Sequence, residues 1–495
     1  MRLTIADDTR LAVGNLYDFA TGIVSPNLRL GITGLSRAGK TVFITALVHN
    51  LIHGGRLPVF DAMAEGRIAR ARVDPQPDDA VPRFDYEAHV AALTGPDRQW
   101  PESTRRISEL RVAIDYESAT FWGRRLGRGR LNIDIVDYPG EWLLDLPLLN
   151  LSYAEWSAQA VAQAQTGPRA RLAEAWRAHL QTLSPDAPEN EAEARAAAEL
   201  FTEYLRACRD DRFSLSALPP GRFLMPGDLE GSPALTFAPL DVAADARAQR
   251  GSLMAMMERR FEAYKSVVVK PFFRDHFARL DRQIVLIDAL QALNAGPSAI
   301  ADLQTAMADI LATFRPGRSS WLGRILTRRV DRILFAATKA DHLHHRSHDR
   351  LEAILRTLTA GAIERAEFAG AQVDVVALAS IRATKEATVR RGGDVLECIV
   401  GTPEAGQRIA GEIFDGTEDV AVFPGDLPAD PESVLTAAAP VFQPLEAVSA
   451  AEAEAWRFVR FRPPLVHAAG EGVQVALPHI RLDRALQFLI GDRLR

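Results

Sequence analysis

The 495-residue sequence predicts an α/β fold: a mostly parallel sheet with helices on both faces, a large all-helical insertion and a small β-rich C-terminal appendage. Three stretches carry that prediction. Gly34-Leu-Ser-Arg-Ala-Gly-Lys-Thr41 is a complete G-x-x-x-x-G-K-[ST] loop between an apolar strand and a helix. Asp137-Tyr-Pro-Gly140 is D-x-x-G at the end of a second apolar strand. Thr338-Lys-Ala-Asp341 is [NT]-K-x-D at the end of a third. The first defines a P-loop nucleotide-binding core, and the other two follow it in the expected order.

Composition sets the frame. Apolar content of 47% and charged content of 25% are those of a globular chain, and the length suggests two or three units. The net charge of −6 argues against a nucleic-acid-binding role. Two distant cysteines, Cys208 and Cys398, imply a reduced compartment and neither a disulfide framework nor a zinc site. Without an apolar leader or a long apolar run, the expected location is the cytoplasm, peripheral to the inner membrane at most.

In chain order, residues 9–20 have the pattern of an amphipathic helix. Asn27 to Thr33 reads as a buried strand and Lys40 to Leu51 as a helix with Phe43, Ala46, Leu47 and Leu51 on one face, ended by Gly54-Gly55. In the loop between them, Gly34, Ser36, Arg37, Ala38, Gly39, Lys40, Thr41 and Val42 are candidate phosphate contacts. Glycines let backbone N–H groups turn inward, the helix N-terminus adds positive potential, and Lys40 brings a point charge to the β- and γ-phosphates. The Thr41 hydroxyl is a candidate Mg²⁺ ligand.

Residues 56–103 read as irregular apart from a helical run near Phe84 to Leu93, in the place of a nucleotide-responsive switch. Ile107 to Tyr116 and Arg130 to Val136 alternate apolar and polar residues, a hairpin pattern. Asp137 at its end reaches Mg²⁺ through water in this kind of site, and the Gly140 N–H reaches a γ-phosphate.

Residues 143–282 break the alternation: two or three helices over Ala154 to Cys208, a Pro/Gly-rich surface loop over Leu215 to Leu240, and a helix carrying Met254 to Phe272. Gln283 to Asp288 resumes the sheet, and Pro297 to Phe314 is a helix. The basic stretch Arg315 to Arg332 reads as a solvated connection, with an anionic docking patch as the other reading.

Arg332 to Ala337 is a buried strand running into Thr338, Lys339 and Asp341, with His342 beyond them. The carboxylate of Asp341 suits the N1–H and exocyclic amine of guanine and is poorly paired by adenine, and the Lys339 stem covers the base. His344 and His348 sit four apart as a metal pair would, although a polar loop is the plainer reading. A helix over Leu351 to Phe368 and a strand over Val373 to Leu378 lead to Ser380 and Ile381, the place of a loose fifth motif whose backbone touches the base. Short β-like runs follow (Val395 to Val400, Gln407 to Phe414, Asp419 to Phe423), then a linker over Pro428 to Glu454, a strand at Phe458 to Phe461 and a helix at Ile480 to Ile490. The expected organisation is a core in two parts, 1–142 and 283–390, around an insertion at 143–282, then an appendage and linker at 391–475 and a closing helix at 476–495.

The chain resembles the YcjX-like P-loop proteins of bacteria. The likeness runs through 34–41, D-Y-P-G-E-W-L-L-D-L-P at 137–147, the long segment 261–288 and T-K-A-D-H at 338–342. That resemblance implies a Ras-like GTPase core with GTP or GDP and Mg²⁺ as ligands, a link to bacterial stress responses, and an unidentified protein partner, a membrane protein among the candidates. By the same resemblance Thr104 (or its neighbour Ser103) takes the place of the switch I threonine, a metal ligand. Glu141 takes the place of the glutamine that orients the attacking water, where its charge implies slow turnover. Arg37 is a built-in cation or a solvent-facing side chain; Arg98, Arg105 and Arg106 are weaker candidates for an arginine finger. A nucleotide-loaded scaffold with incidental turnover and an ATP-dependent P-loop ATPase remain alternatives.

Overall fold

The computed structural model describes residues 26–35, 37–102, 104, 106–120, 129–312, 330–391, 394–409, 412–436, 459–466 and 476–495. The expected helix at 9–20, most of the basic stretch 315–332, Ser36, Ser103, Arg105 and part of the linker lie outside them.

The elements begin with β1 (Asn27–Gly34), α1 (Lys40–Ile52), β2 (Ile68–Asp74), α2 (Tyr86–Thr94), β3 (Ser108–Tyr116) and β4 (Gly129–Asp137). A 3-10 stretch, Gly140–Asn150, leads to α3 (Tyr153–Gln163), two short helices, α4 (Glu191–Arg209) and α5 (Leu253–Tyr264). Then come β5 (Arg282–Ile287), α6 (Ala289–Ala295), α7 (Pro297–Ala312), β6 (Arg332–Ala337), α8 (His348–Leu358), α9 (Ala360–Phe368) and β7 (Gln372–Ala377). The chain ends with β8 (Lys385–Arg391), β9 (Asp394–Gly401), β10 (Arg408–Ile409), β11 (Glu412–Ile413), β12 (Val420–Val422) and α10 (Leu482–Ile490).

β1 to β7 form one sheet in the order β2-β3-β4-β1-β5-β6-β7. β4, β1, β5, β6 and β7 are parallel, while β2 and β3 run antiparallel to their neighbours. The parallel strands carry apolar residues at both parities and are covered on both sides. Leu28, Leu30, Ile32, Ile284, Leu286 and Leu334 pack one face against Phe43 and Leu47 of α1 and Leu482, Leu486 and Leu489 of α10. Val136, Val285, Ile287, Ile333 and Phe335 face the other way, into a core continuous with the helices between β4 and β5. β12-β9-β8 form a separate antiparallel sheet.

Those helices form from strong local signals. α3 starts with a capping box: the Glu155 N–H donates to Ser152 Oγ at 3.2 Å, and the Ser152 N–H to Glu155 Oε2 at 2.8 Å. α4 buries Ala194, Ala197, Phe201, Tyr204, Leu205 and Cys208 along one stripe. Trp156 stacks on Phe261 at 5.0 Å between centroids, and Trp176 on Tyr204 at 5.4 Å.

The structure corrects several expectations. The irregular stretch at 56–103 contains an edge strand, β2, whose charged residues are held by cross-strand pairs: Arg72 reaches Asp115 at 2.7 Å. Residues 215–240 are a surface loop only in part: Glu230, Gly231 and Pro233 are exposed, while the two ends of the stretch are buried. Leu215, Leu218, Phe223, Phe237 and Leu240 are buried, and the Ala238 carbonyl accepts from the Tyr153 hydroxyl at 2.8 Å. The helix expected over Leu351 to Phe368 is two, α8 and α9, divided at Thr359, whose hydroxyl turns back to the Leu355 carbonyl at 2.7 Å. Ala154 to Cys208 holds four helical pieces in place of two or three. Gln407 to Phe414 is a hairpin of two short strands rather than one strand. The small sheet starts at Lys385, before the expected change of character at 391, and of the strand expected at Phe458 to Phe461, Phe458 lies outside the described residues while Phe461 forms an isolated bridge with Pro403. No helix among the described residues is long and apolar enough to cross a membrane.

Candidate functional site

The parallel strands end on one edge of the sheet, with β1 central, where open α/β sheets bind ligands. At that edge Gly34, Asp137, Asp288, Thr338 and Leu378 follow or finish β1, β4, β5, β6 and β7. A cavity of about 340 Å³ lies there.

Its floor is the loop between β1 and α1. Arg37 and Gly39 have φ of 62° and 77°, so the chain reverses through two left-handed residues before the α1 N-terminus opens onto the cavity. Gly140 closes against this loop. A Cβ there would lie 2.1 Å from the Gly34 carbonyl oxygen, so only glycine permits the approach.

Four polar side chains meet beside it. Lys40 Nζ pairs with Asp137, which is fully buried, and the Thr104 hydroxyl donates to Asp137 Oδ2 at 2.6 Å. Thr41 Oγ1 lies 3.2 Å from Thr104 Oγ1. These residues come from α1, β4 and the segment before β3, which the sheet order β3-β4-β1 makes neighbours.

Thr338, Lys339, Asp341, His342, Ser380 and Ile381 also line the cavity. Lys339, at φ 61°, donates to Asp288 Oδ2 at 2.5 Å, and Asp288 in turn caps α6 by accepting from the Gln291 N–H at 3.1 Å. Asp341 accepts from the Ala383 N–H at 2.9 Å, which ties the two loops together. Burial lowers the pKa of His342, with the Asp341 charge opposing, and its ring meets Phe461 edge-on at 5.7 Å.

The remaining wall comes from distant parts of the chain. Arg209, the last residue of α4, donates to Glu141 Oε1 at 2.9 Å, and Glu141 is buried. Arg37 is half exposed and pairs with Asp211, which also takes Arg460 at 2.5 Å. Burial first, then the positive charges of Arg460 and Arg209, lower the pKa of Arg37. Trp100 donates to the Phe461 carbonyl at 2.7 Å, and both line the cavity.

The profile described as the YcjX-like family, DUF463, matches residues 28–494, from β1 to the residue before the last. The chain belongs to the YcjX-like family. A curated relative from Escherichia coli strain K12, named Ras-like GTPase YcjX, is 37% identical over 482 residues, 95% of this chain and 97% of the relative. A second of the same name, from Shewanella oneidensis, is 34% identical over 494 residues, 94% and 95% of the two chains. In this YcjX-like chain the sheet, the inserted helices and the appendage all lie within the match.

Within that family frame, the structure gathers Gly34, Arg37, Ala38, Gly39, Lys40, Thr41, Val42, Thr104, Glu141, Thr338, Lys339, Asp341, His342, Ser380 and Ile381 around one cavity, with Gly140 and Asp137 directly behind it. Arg98 is directed elsewhere, 3.5 Å from the Thr402 hydroxyl. His344 and His348 do not pair: His348 Nε2 lies 3.3 Å from the Leu343 carbonyl, while His344 reaches Glu397 at 2.8 Å and His345 reaches Glu386 at 2.8 Å. The sequence reading missed Trp100, Arg209, Asp211, Arg460 and Phe461. Arg209 ends an alanine-rich helix and Arg460 follows a long spacer, so neither carries a local motif.

Proposed function

We propose that this chain binds a guanine nucleotide with Mg²⁺ in the cavity and hydrolyses GTP slowly to GDP and phosphate, as a nucleotide-dependent switch. One observation carries the reading: the phosphate loop and Thr338, Lys339 and Asp341 line one and the same cavity. A nucleoside triphosphate laid across it places phosphates on the α1 N-terminus and Lys40, and a base on Asp341 and the 380–381 loop. The Asp341 carboxylate prefers the donor edge of guanine, which favours GTP over ATP as ligand.

The oxygen donors fit Mg²⁺. Adjacent ligands of an octahedral Mg²⁺ stand about 3 Å apart, and the Thr41 and Thr104 hydroxyls are 3.2 Å apart. Asp137, already bonded to Thr104, would sit behind them as a second-layer acceptor. The ion would supply charge neutralisation between the β- and γ-phosphates. Lys40 gives up Asp137 to meet the phosphates, the Gly140 N–H faces the γ-phosphate, and Glu141 flanks the attacking water. A carboxylate in that position repels the γ-phosphate, which supports slow turnover. The family resemblance extends the reading to a stress- or envelope-related process at the cytoplasmic face of the inner membrane, through a protein partner.

Phosphate release from GTP tests this reading. Wild type should release phosphate with Mg²⁺ and stop in EDTA, and Lys40→Ala and Thr41→Ala should both be reduced at least 10-fold. Equal release by Lys40→Ala and wild type would remove the site from the reaction.

A further inference from the structure

We propose that Arg209, delivered by the helices inserted between β4 and β5, is the cation that stabilises the γ-phosphate of bound GTP during hydrolysis, and that Glu141 stores it until the triphosphate arrives. This rests on the GTPase reading above and adds a residue and a control to it.

The geometry points to Arg209 over the other cations. It lines the cavity from α4, and its guanidinium lies 2.9 Å from Glu141 Oε1. Glu141 directly follows Gly140, whose backbone closes on the Gly34 carbonyl at the phosphate loop. The guanidinium is therefore stored one residue away from the N–H that would face the γ-phosphate. Arg37 is half exposed and shares Asp211 with Arg460. Arg98 is directed to Thr402, and Arg222 lies 3.2 Å over the Trp142 ring.

The support on the Glu141 side is stiff. A Cβ at Gly221 would sit 1.9 Å from the Glu141 carbonyl oxygen, so the chain passes Gly221 at closest approach. The Gly221 N–H donates to Asp145 at 2.6 Å, and so does the Tyr264 hydroxyl at 2.6 Å. The backbone that carries Glu141 is thus fixed to the inserted helices, and the arginine side chain is the part that can change partner. A γ-phosphate offers more negative charge and more acceptor oxygens than one carboxylate, so its arrival favours the exchange.

In the reaction the water oxygen bonds to the γ-phosphorus while the bond to the β,γ-bridging oxygen breaks. Its electron pair leaves with GDP, and the water proton ends on the released phosphate. Arg209 forms no bond in this step; it offsets charge on the γ-phosphate and the bridging oxygen. Three guanidiniums (Arg37, Arg209 and Arg460) line this wall, which suits a polyanion.

The experiment compares full-length wild type, Arg209→Ala, Arg209→Lys and Glu141→Gln. It measures GDP affinity, single-turnover GTP hydrolysis, and GDP affinity with fluoroaluminate as a stand-in for the transferring phosphoryl group. Arg209→Ala should keep GDP affinity within about 3-fold, lose on the order of 100-fold or more in hydrolysis, and lose the fluoroaluminate tightening. Millimolar guanidinium should restore part of its rate. Arg209→Lys keeps the charge without the fork, so it should still fall about 10-fold or more, and it serves if the alanine variant does not fold. Glu141→Gln should bind a non-hydrolysable GTP analogue more tightly relative to GDP. Arg209→Ala or Arg209→Lys hydrolysing within 3-fold of an active wild type would overturn the role of Arg209 alone. Wild type that neither binds GDP nor hydrolyses GTP would overturn the GTPase reading, and this proposal with it.

Discussion

Replacing Asp145 by Asn should change how stability depends on pH, by an amount the structure sets. Asp145 sits in the 3-10 stretch after Gly140 and is buried against the inserted helices. Burial pushes its carboxyl pKa up to about 6, with the Tyr264 hydroxyl, the Gly221 N–H and the Arg222 charge holding it down in part. In the unfolded chain the same carboxyl titrates near 3.9. Between these values the folded protein holds the extra proton. Stability linked to Asp145 is therefore greatest below pH 4, declines as pH rises towards 6, and is flat above. A shift of about two units corresponds to about 3 kcal/mol. Asn has no such titration, and it can still accept from Gly221 and donate to the Tyr264 oxygen. The mutant should gain on wild type by about 3 kcal/mol between pH 4 and 6.5. For a unit of 150–250 residues, about 1 kcal/mol moves the midpoint by about 2–4 °C, so the thermal midpoints should diverge by about 6–12 °C. His276, pushed down to about 4 by burial, pulls the opposite way over the same window, but it is present in both proteins and cancels in the difference. Calorimetric scans of both at matched pH values provide the assay. Parallel midpoint curves from pH 4 to 7 would refute the buried, proton-holding carboxyl.

Gly140→Ala cannot close on Gly34 without a backbone shift, since its Cβ would meet the carbonyl at 2.1 Å. We expect GDP affinity within about 3-fold and triphosphate-analogue affinity down at least 10-fold, about 1.4 kcal/mol; equal losses for both ligands would place the clash elsewhere. Arg169 is buried and donates to Asp302 at 2.5 Å, Tyr204 at 3.2 Å and the Ala217 carbonyl at 2.9 Å, joining the inserted helices to α7. Arg169→Met leaves the Asp302 charge to the Ser216 and Ala217 N–H groups and should cost about 3–5 kcal/mol, while adding Asp302→Leu strands those two N–H groups and should not recover the loss; a double variant that regains the wild-type thermal midpoint would contradict this. Thr104→Ala removes the hydroxyl between Thr41 and Asp137, so the Mg²⁺ concentration needed for half-maximal triphosphate binding should rise at least 10-fold, read by titration; an unchanged Mg²⁺ requirement would exclude Thr104 from the ion's surroundings.

What could be read in the chain divides along a physical line. Strands of the parallel sheet and the helix after the phosphate loop are written in short apolar patterns, so β1, β4, β5, β6 and α1 appear within a residue or two of their expected places. Loops whose chemistry depends on neighbours along the chain, such as Gly34 to Thr41 and Thr338 to Asp341, were equally visible. β2 was not, because Arg70 and Arg72 make it look like solvated chain until Asp115 of the next strand is placed beside it. The buried ends of the stretch 215–240 were hidden for a related reason: its prolines and glycines suggest exposure, but aromatic residues of α3, α4 and α5 pack on Phe223 and Phe237. The pairing of Glu141 with Arg209 spans 68 positions and follows no motif, so only the fold reveals it.

The central claim is that guanine, not adenine, is recognised at Asp341. Calorimetric binding of GDP, ADP and XDP with Mg²⁺ to wild type and to Asp341→Asn tests it most directly. Wild type should bind GDP at least 1,000-fold more tightly than ADP, and the variant should lose GDP and gain XDP, whose altered base edge suits an amide. ADP bound as tightly as GDP, with neither changed by the substitution, would contradict a guanine site and leave a phosphate loop serving another nucleotide.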